Sequence, residues 1–201
     1  KEIRGEKGTT VKIAVKREGE VKEFTITRDI INNPSVSSEL RGDVGIMTIN
    51  RFDSDTVSLV RKEANSLKAQ GMKKIVIDMR GNGGGYLDAA PGVAGMWLDD
   101  KLVVSVKANS GGEQKLMSEG DTVLKGVPTA VVVNGGSASA TEIVTAALKY
   151  YKVATIVGEK TYGKGTVQEL IPLANDSMLK VTIKRWYTPS GANVTGKGIT
   201  P

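Results

Sequence analysis

Hydrophobic and polar residues alternate over residues 10–27, with Val11, Ile13 and Val15 on one face, Phe24 and Ile26 on the return, and Glu18-Gly19-Glu20 between the two runs. Period-two alternation around a glycine-bearing turn predicts a β-hairpin. A lone hairpin is marginal in water, so this one is expected to belong to a larger unit whose beginning lies outside the sequence. Residues 31–41, which open on Ile31-Asn32-Asn33-Pro34-Ser35, read as the linker leading out of it.

Beyond Arg41 the pattern changes to strands alternating with helices. Residues 44–49 predict a strand. Asp53 or Ser54 can cap a helix running to Gln70, with Val57, Val60, Ala64 and Leu67 on one stripe and Gly71 as its stop. Residues 73–79 read as a buried strand and residues 87–98 as a helix, despite Pro91 and Gly92. A strand over 102–108 ends in a turn at Ser110-Gly111-Gly112. Then come a strand over 129–133, a helix over 140–151 and a strand over 153–157. Residues 166–173 and 178–186 pair as a hairpin around Asn175-Asp176. This alternation implies an α/β fold with a mixed, largely parallel sheet and flanking helices over residues 42–201.

Composition narrows the functions open to such a domain. The chain has 201 residues, 39% hydrophobic and 25% charged, which suits one large globular domain or two small ones. Its 28 basic and 22 acidic residues leave a net charge of +6 without a long run of one sign. With nine aromatic residues and no basic-aromatic platform, nucleic acid is not an expected partner. The absence of cysteine excludes disulfides, thiol catalysis and cysteine-ligated metals. No apolar stretch approaches the length of a membrane span and no signal-like apolar region opens the sequence, so either a cytosolic protein or, the better reading, a processed or trimmed piece of a longer protein is expected.

Three loops carry the candidate chemistry, each at a predicted strand end. Asp78-Met79-Arg80-Gly81-Asn82-Gly83-Gly84-Gly85 leaves backbone N–H groups free to face a ligand or an oxyanion, or is a tight turn with Asp78 and Arg80 as a local ion pair. Asn134-Gly135-Gly136-Ser137-Ala138-Ser139-Ala140-Thr141-Glu142 carries a strand into a helix. Ser139 there is either a nucleophile at the positive end of the helix dipole or the cap of a Ser139-Glu142 capping box. Gly158-Glu159-Lys160-Thr161-Tyr162-Gly163-Lys164-Gly165-Thr166 nearly spells a phosphate-binding loop, but Gly165 stands where Mg²⁺ needs a hydroxyl, and a strand pattern follows where a helix is required.

The chain contains no histidine. A serine nucleophile here therefore needs another base, and lysine is the main alternative. Such a lysine must be neutral to take a proton, a state favoured by desolvation. Gly163 and Gly165 let the backbone at Lys164 pack closely. Gln168, four residues on, could orient the amine without the opposing charge of a carboxylate.

These blocks resemble the active-site segments of the C-terminal processing (tail-specific) peptidases. The resemblance extends to Trp186-Tyr187-Thr188-Pro189-Ser190-Gly191, to Gly196-Lys197-Gly198-Ile199, and to Arg4-Gly5-Glu6-Lys7-Gly8-Thr9-Thr10, which looks like the end of the family's PDZ domain. It implies a PDZ remnant and hairpin over residues 1–30 and a ClpP/crotonase-like catalytic core over 42–201, cut short at its C-terminus. It further implies Ser139 as nucleophile, Lys164 as general base and Gln168 as support for the lysine. Ala140 N–H, with a glycine N–H at Gly83 or Gly84, would form the oxyanion hole, and Asp78, Arg80 and Glu142 would support the loops, Glu142 by holding the serine loop. No metal or other cofactor is implied. The implied partners are unfolded or tail-exposed protein substrates and a regulatory or adaptor protein, with homo-oligomers open, in an extracytoplasmic, bacterial-envelope setting. Thr141 stands where the family often has serine, and Gly83 where it often has proline. If the site is assembled, Lys164 Nζ is expected about 2.6 to 3.2 Å from Ser139 Oγ.

Overall fold

A computed structural model describes residues 3–30, 34–108, 111–174 and 177–201. The chain divides into two compact units, residues 1–34 and 35–201. In the first, β1 (Thr10–Arg17) and β2 (Glu20–Thr27) pair antiparallel with Arg17 opposite Glu20. Glu18 and Gly19 both have positive φ, 53° and 87°, as a two-residue turn matched to strand twist demands. Ile13 faces Phe24 and Val11 faces Ile26, the apolar pairs that the alternation predicts.

In the second unit, residues 36–41 are not linker. They form β3 (Val36–Arg41), antiparallel to β4 (Val44–Ile49) through a turn at Gly42. Asn32 and Asn33, expected at the start of the linker, lie outside the described residues. After β4 comes α1 (Thr56–Ala69), which buries Thr56, Val60, Ala64 and Leu67; Asp55, not Asp53 or Ser54, stands at its N-cap. Gly71, at φ 93°, lets the chain turn back into β5 (Lys74–Asp78). The expected second helix shortens to α2 (Ala89–Ala94), all six residues buried. Gly92 is required there, because a Cβ would stand 2.8 Å from Val57 of α1.

The chain then leaves this sheet for β6 (Leu102–Ala108) and β7 (Glu113–Met117) and returns as β8 (Thr129–Val133), α3 (Ala140–Tyr150) and β9 (Thr155–Gly158). Finally β10 (Thr166–Pro172) and β11 (Met178–Tyr187) form the expected hairpin, its Asn175-Asp176 tip outside the described residues.

Two sheets result. One has the order β3-β4-β5-β8-β9 and is parallel from β4 onward; the other, β10-β11-β6-β7, is antiparallel throughout. The fold is thus mixed α/β with a largely parallel central sheet, but β6 belongs to the second sheet. Helix α3 packs on α2, β6 and β9, and every residue from Ala140 to Leu148 is buried. A helix buried on all sides sits inside the core, and its polar side chains must find partners there. No described helix is long and apolar enough to cross a membrane.

Candidate active site

Strands β5, β8 and β9 are parallel neighbours, so the loops that leave their carboxyl ends emerge side by side. These are the three loops singled out by their glycines. Gly158, at the end of β9, has φ 113°, and a Cβ there would meet Val133 O of β8 at 2.2 Å, so the third loop can depart only from a glycine.

Asn82 and Asn134 hold the first two loops together. Fully buried Asn82 donates from Nδ2 to Ile49 O at 2.7 Å and accepts from Gly84 N–H at 2.9 Å, while its carbonyl accepts from Ala138 N–H and the Thr141 hydroxyl. Asn134 Oδ1 accepts from Gly81 and Gly136 N–H at 2.8 and 3.0 Å. The Ser137 hydroxyl donates to Met79 O at 2.8 Å. At the outer end of the first loop, Arg80 forks onto Asp78 with contacts of 2.5 to 3.1 Å, and that guanidinium holds the Asp78 carboxyl below the usual carboxylate range. Asp78 and Arg80 thus form a local ion pair.

Ser139 lies between β8 and α3 with φ 58° and ψ −119°. An ordinary helix cap is extended. A positive φ in a non-glycine residue is strained and persists where the surrounding structure holds it, here on a sharp strand-to-helix turn whose Ser139 N–H is bound by Glu142 in the expected capping-box reach-back. Gly84 is packed against it: a Cβ on Gly84 would lie 2.7 Å from Ser139 Cβ and 2.9 Å from Ala140 N. The Gly84 N–H is committed to Asn82, so Gly84 is not a free oxyanion donor. Gly83 N–H has no acceptor among the described residues, and Ala140 N–H opens the helix, where no intrahelical partner exists.

Glu142 joins the second loop to the third. Its carboxylate, with no exposed surface, accepts from Ser139 N–H and Lys164 N–H on Oε2 at 2.9 and 2.8 Å, and from the Thr161 hydroxyl and Gly163 N–H on Oε1 at 2.6 and 2.7 Å. Four donors satisfy a buried acid that has no ion-pair partner among the described residues. From the other side, Trp186 Nε1 donates to Lys164 O at 2.8 Å, and Asn193 Nδ2 to Gly165 O at 3.0 Å. Gly163 and Gly165 permit this closeness, since a Cβ would lie 2.8 Å from Gly198 N at the first and 2.5 Å from Thr195 Oγ1 at the second. The two C-terminal blocks that carry the resemblance are therefore the wall behind Lys164.

A cleft of about 770 Å³ opens here, lined among others by Gly83, Ala138, Lys164, Gln168 and Lys180. Thr166 continues directly into β10, so the phosphate-loop reading has no helix N-terminus to support it. Lys164 Nζ has no hydrogen-bond or ion-pair partner among the described residues; the contact with Ser139 Oγ is not made in this structure, and Gln168 is exposed beside it. Among the described residues there is no cluster of three or more metal-ligating side chains.

Residues 43–201 match the model of Peptidase family S41. The chain belongs to that family. A relative from Staphylococcus epidermidis named "Probable CtpA-like serine protease" is 38% identical over 203 residues, spanning all of this chain and 41% of the relative. One of the same name from Staphylococcus aureus is 39% identical over 204 residues, with the same coverage. The S41 chain described here thus spans about two fifths of the length of these relatives. Among solved structures, the photosystem II D1 C-terminal processing protease superposes with a TM-score of 0.77 at 28% identity, covering 98% of this chain and 55% of that one. A lipoprotein from Streptococcus agalactiae shares the fold, with a TM-score of 0.68 at 20% identity over 85% of this chain and 65% of its own.

Sequence reasoning missed Asn82, Asn134, Thr161 and Trp186 as parts of this S41 site. Asn82, Asn134 and Thr161 sit within the three glycine loops and Trp186 in the block at the end of β11, yet their roles depend on which groups arrive opposite them.

Proposed function

We propose that this chain is the core of a serine endopeptidase that cleaves proteins near nonpolar C-terminal tails, with Ser139 as nucleophile and Lys164 as general base. The observation that carries the reading is the Glu142 carboxylate, which ties the backbones of both residues to a single oxygen. A buried charge committed to aligning two loops fits a function that needs both at once. Family membership and the S41 relatives named as serine proteases support the reaction class.

In this reading Ser139 Oγ attacks the peptide carbonyl carbon while its proton passes to the Lys164 amine. The same proton goes to the leaving nitrogen as the C–N bond breaks, and water then hydrolyses the acyl-serine ester with Lys164 again as base. Ala140 and Gly83 N–H receive the oxyanion; one such donor is commonly worth about 3 to 4 kcal/mol in the transition state. Gln168 orients the amine once the unpaired Lys164 side chain swings to Ser139. No metal or nucleotide takes part. Unfolded or tail-exposed proteins are the substrates, a regulatory or adaptor protein governs access, and the site of action is extracytoplasmic, in the bacterial envelope.

A second reading, a catalytically inert binding or scaffold fragment of the same fold, is favoured by one observation: Lys164 Nζ has no hydrogen-bond or ion-pair partner among the described residues. The test incubates an unfolded protein ending in apolar residues with the chain and with Ser139→Ala and Lys164→Ala. Cleavage by the unsubstituted chain alone is expected. Equal cleavage by all three removes the assignment, and cleavage by none supports the second reading.

A further inference from the structure

The cleft beside Lys164 has an uneven charge. None of its twelve lining residues is acidic, and two, Lys164 and Lys180, are lysines. Lys180 belongs to β11 and lies opposite Leu170 of β10, while Gln168 is two residues back along β10. Cross-strand partners and residues two apart share a face, so Gln168, Leu170 and Lys180 present their side chains together. Glu169, the nearest acid in the ladder, pairs with Val181 on the opposite face.

The Lys180 ammonium has no hydrogen-bond or ion-pair partner among the described residues. Leu170 and Met178, on the same face, are 57% and 64% exposed. β10 is also the terminal strand of its sheet, with one edge unpaired. An extended peptide added along that edge would pass Gln168 and Leu170 in turn. The surface therefore offers backbone hydrogen bonds, apolar contact and one uncompensated positive charge.

We propose that Lys180 is a specificity-determining residue that pairs with a carboxylate of the bound peptide, while Leu170 and Met178 take its apolar side chains. The proposal rests on the peptidase reading, in which a peptide occupies this cleft. The carboxylate is either the chain terminus or an acidic side chain, and the same ammonium serves both. In the peptidase reading the Lys164 amine turns to Ser139, which leaves Lys180 to meet the carboxylate.

The test reads binding in the Ser139→Ala chain, without turnover. Fluorescence anisotropy follows three labelled short peptides with apolar ends: a free acid, its C-terminal amide, and the amide with one internal Gln replaced by Glu. At least one carboxylate-bearing peptide is expected to bind about fivefold tighter than the uncharged amide, and which one identifies the source. Adding Lys180→Gln brings the affinities together, and Lys180→Glu inverts the preference. Equal binding of all three peptides, binding of none at millimolar concentration, or a preference that survives Lys180→Gln overturns the proposal. Cleavage of the amide peptide by the unsubstituted chain is the separate readout of the peptidase reading, so the two can fail independently.

Discussion

The backbone N–H groups of Ser139 and Lys164 converge on one oxygen, Glu142 Oε2, at 2.9 and 2.8 Å. Two loops from different strands are thereby fixed to a side chain in the first turn of α3. The position of the lysine backbone relative to the serine is set by this bridge, and only the lysine side chain remains to be placed.

Glu142→Gln tests the bridge with nearly unchanged volume. An amide cannot accept on both arms, so its NH₂ group confronts N–H donors that the carboxylate had satisfied. The expected loss is about 3 kcal/mol of stability, read from the urea midpoint at unchanged slope. Misplacement of the two loops should lower kcat by about a hundredfold, read from hydrolysis of an unfolded protein.

Adjacent glycines in the first loop should respond oppositely to alanine. Gly84 has φ 94°, and its Cβ would meet Ser139 Cβ at 2.7 Å, whereas a Cβ on Gly83 meets nothing within 4 Å. Gly84→Ala is expected to cost about 3 kcal/mol by thermal or urea unfolding. Gly83→Ala should stay within about 0.5 kcal/mol and keep the N–H assigned to the oxyanion.

Much of this site was legible because its local signals agree. The Gly163-Lys164-Gly165 spacing announces close backbone approach, and Ser139 with Glu142 announces a reach-back onto the serine N–H, whatever the serine then does. What escaped is non-local. β3 follows Asn32-Asn33-Pro34-Ser35 and is an edge strand with small, polar and charged residues at alternate positions, so its pattern resembles a linker until β4 pairs with it. β6 has the apolar run of a parallel strand, and only its pairing with distant β11 places it in the antiparallel sheet. α2 buries all six residues around Pro91 and Gly92 and shows no amphipathic stripe to mark its ends. Thr161 and Trp186 acquire their roles only from the groups the fold brings opposite them.

Backbone strain at Ser139 separates Ser139→Gly from Ser139→Ala. Glycine adopts φ near 58° freely, while alanine keeps the Cβ that opposes it. Both substitutions remove the hydroxyl and should abolish hydrolysis. The glycine variant should nevertheless be more stable than the alanine variant by about 1 kcal/mol, read as a higher Tm. At an unstrained position the order would be reversed, because glycine has more chain entropy to lose.

The Asp78–Arg80 pair gives stability a defined pH dependence. The adjacent guanidinium lowers the Asp78 carboxyl below its ordinary value of 3.8. A carboxyl lowered by folding binds fewer protons in the native chain than in the unfolded one, so its contribution is complete above the unfolded value. That contribution is lost as pH falls through the lower native value. The difference in unfolding free energy between the chain and Asp78→Asn should therefore be constant from about pH 8 to pH 5 and begin to shrink as pH falls below about 4. Urea unfolding of both proteins across that range measures it. A difference near zero at every pH would show that Asp78 stabilises the loop through its acceptance of the Arg80 N–H at 3.0 Å, a bond asparagine can also accept, and not through charge.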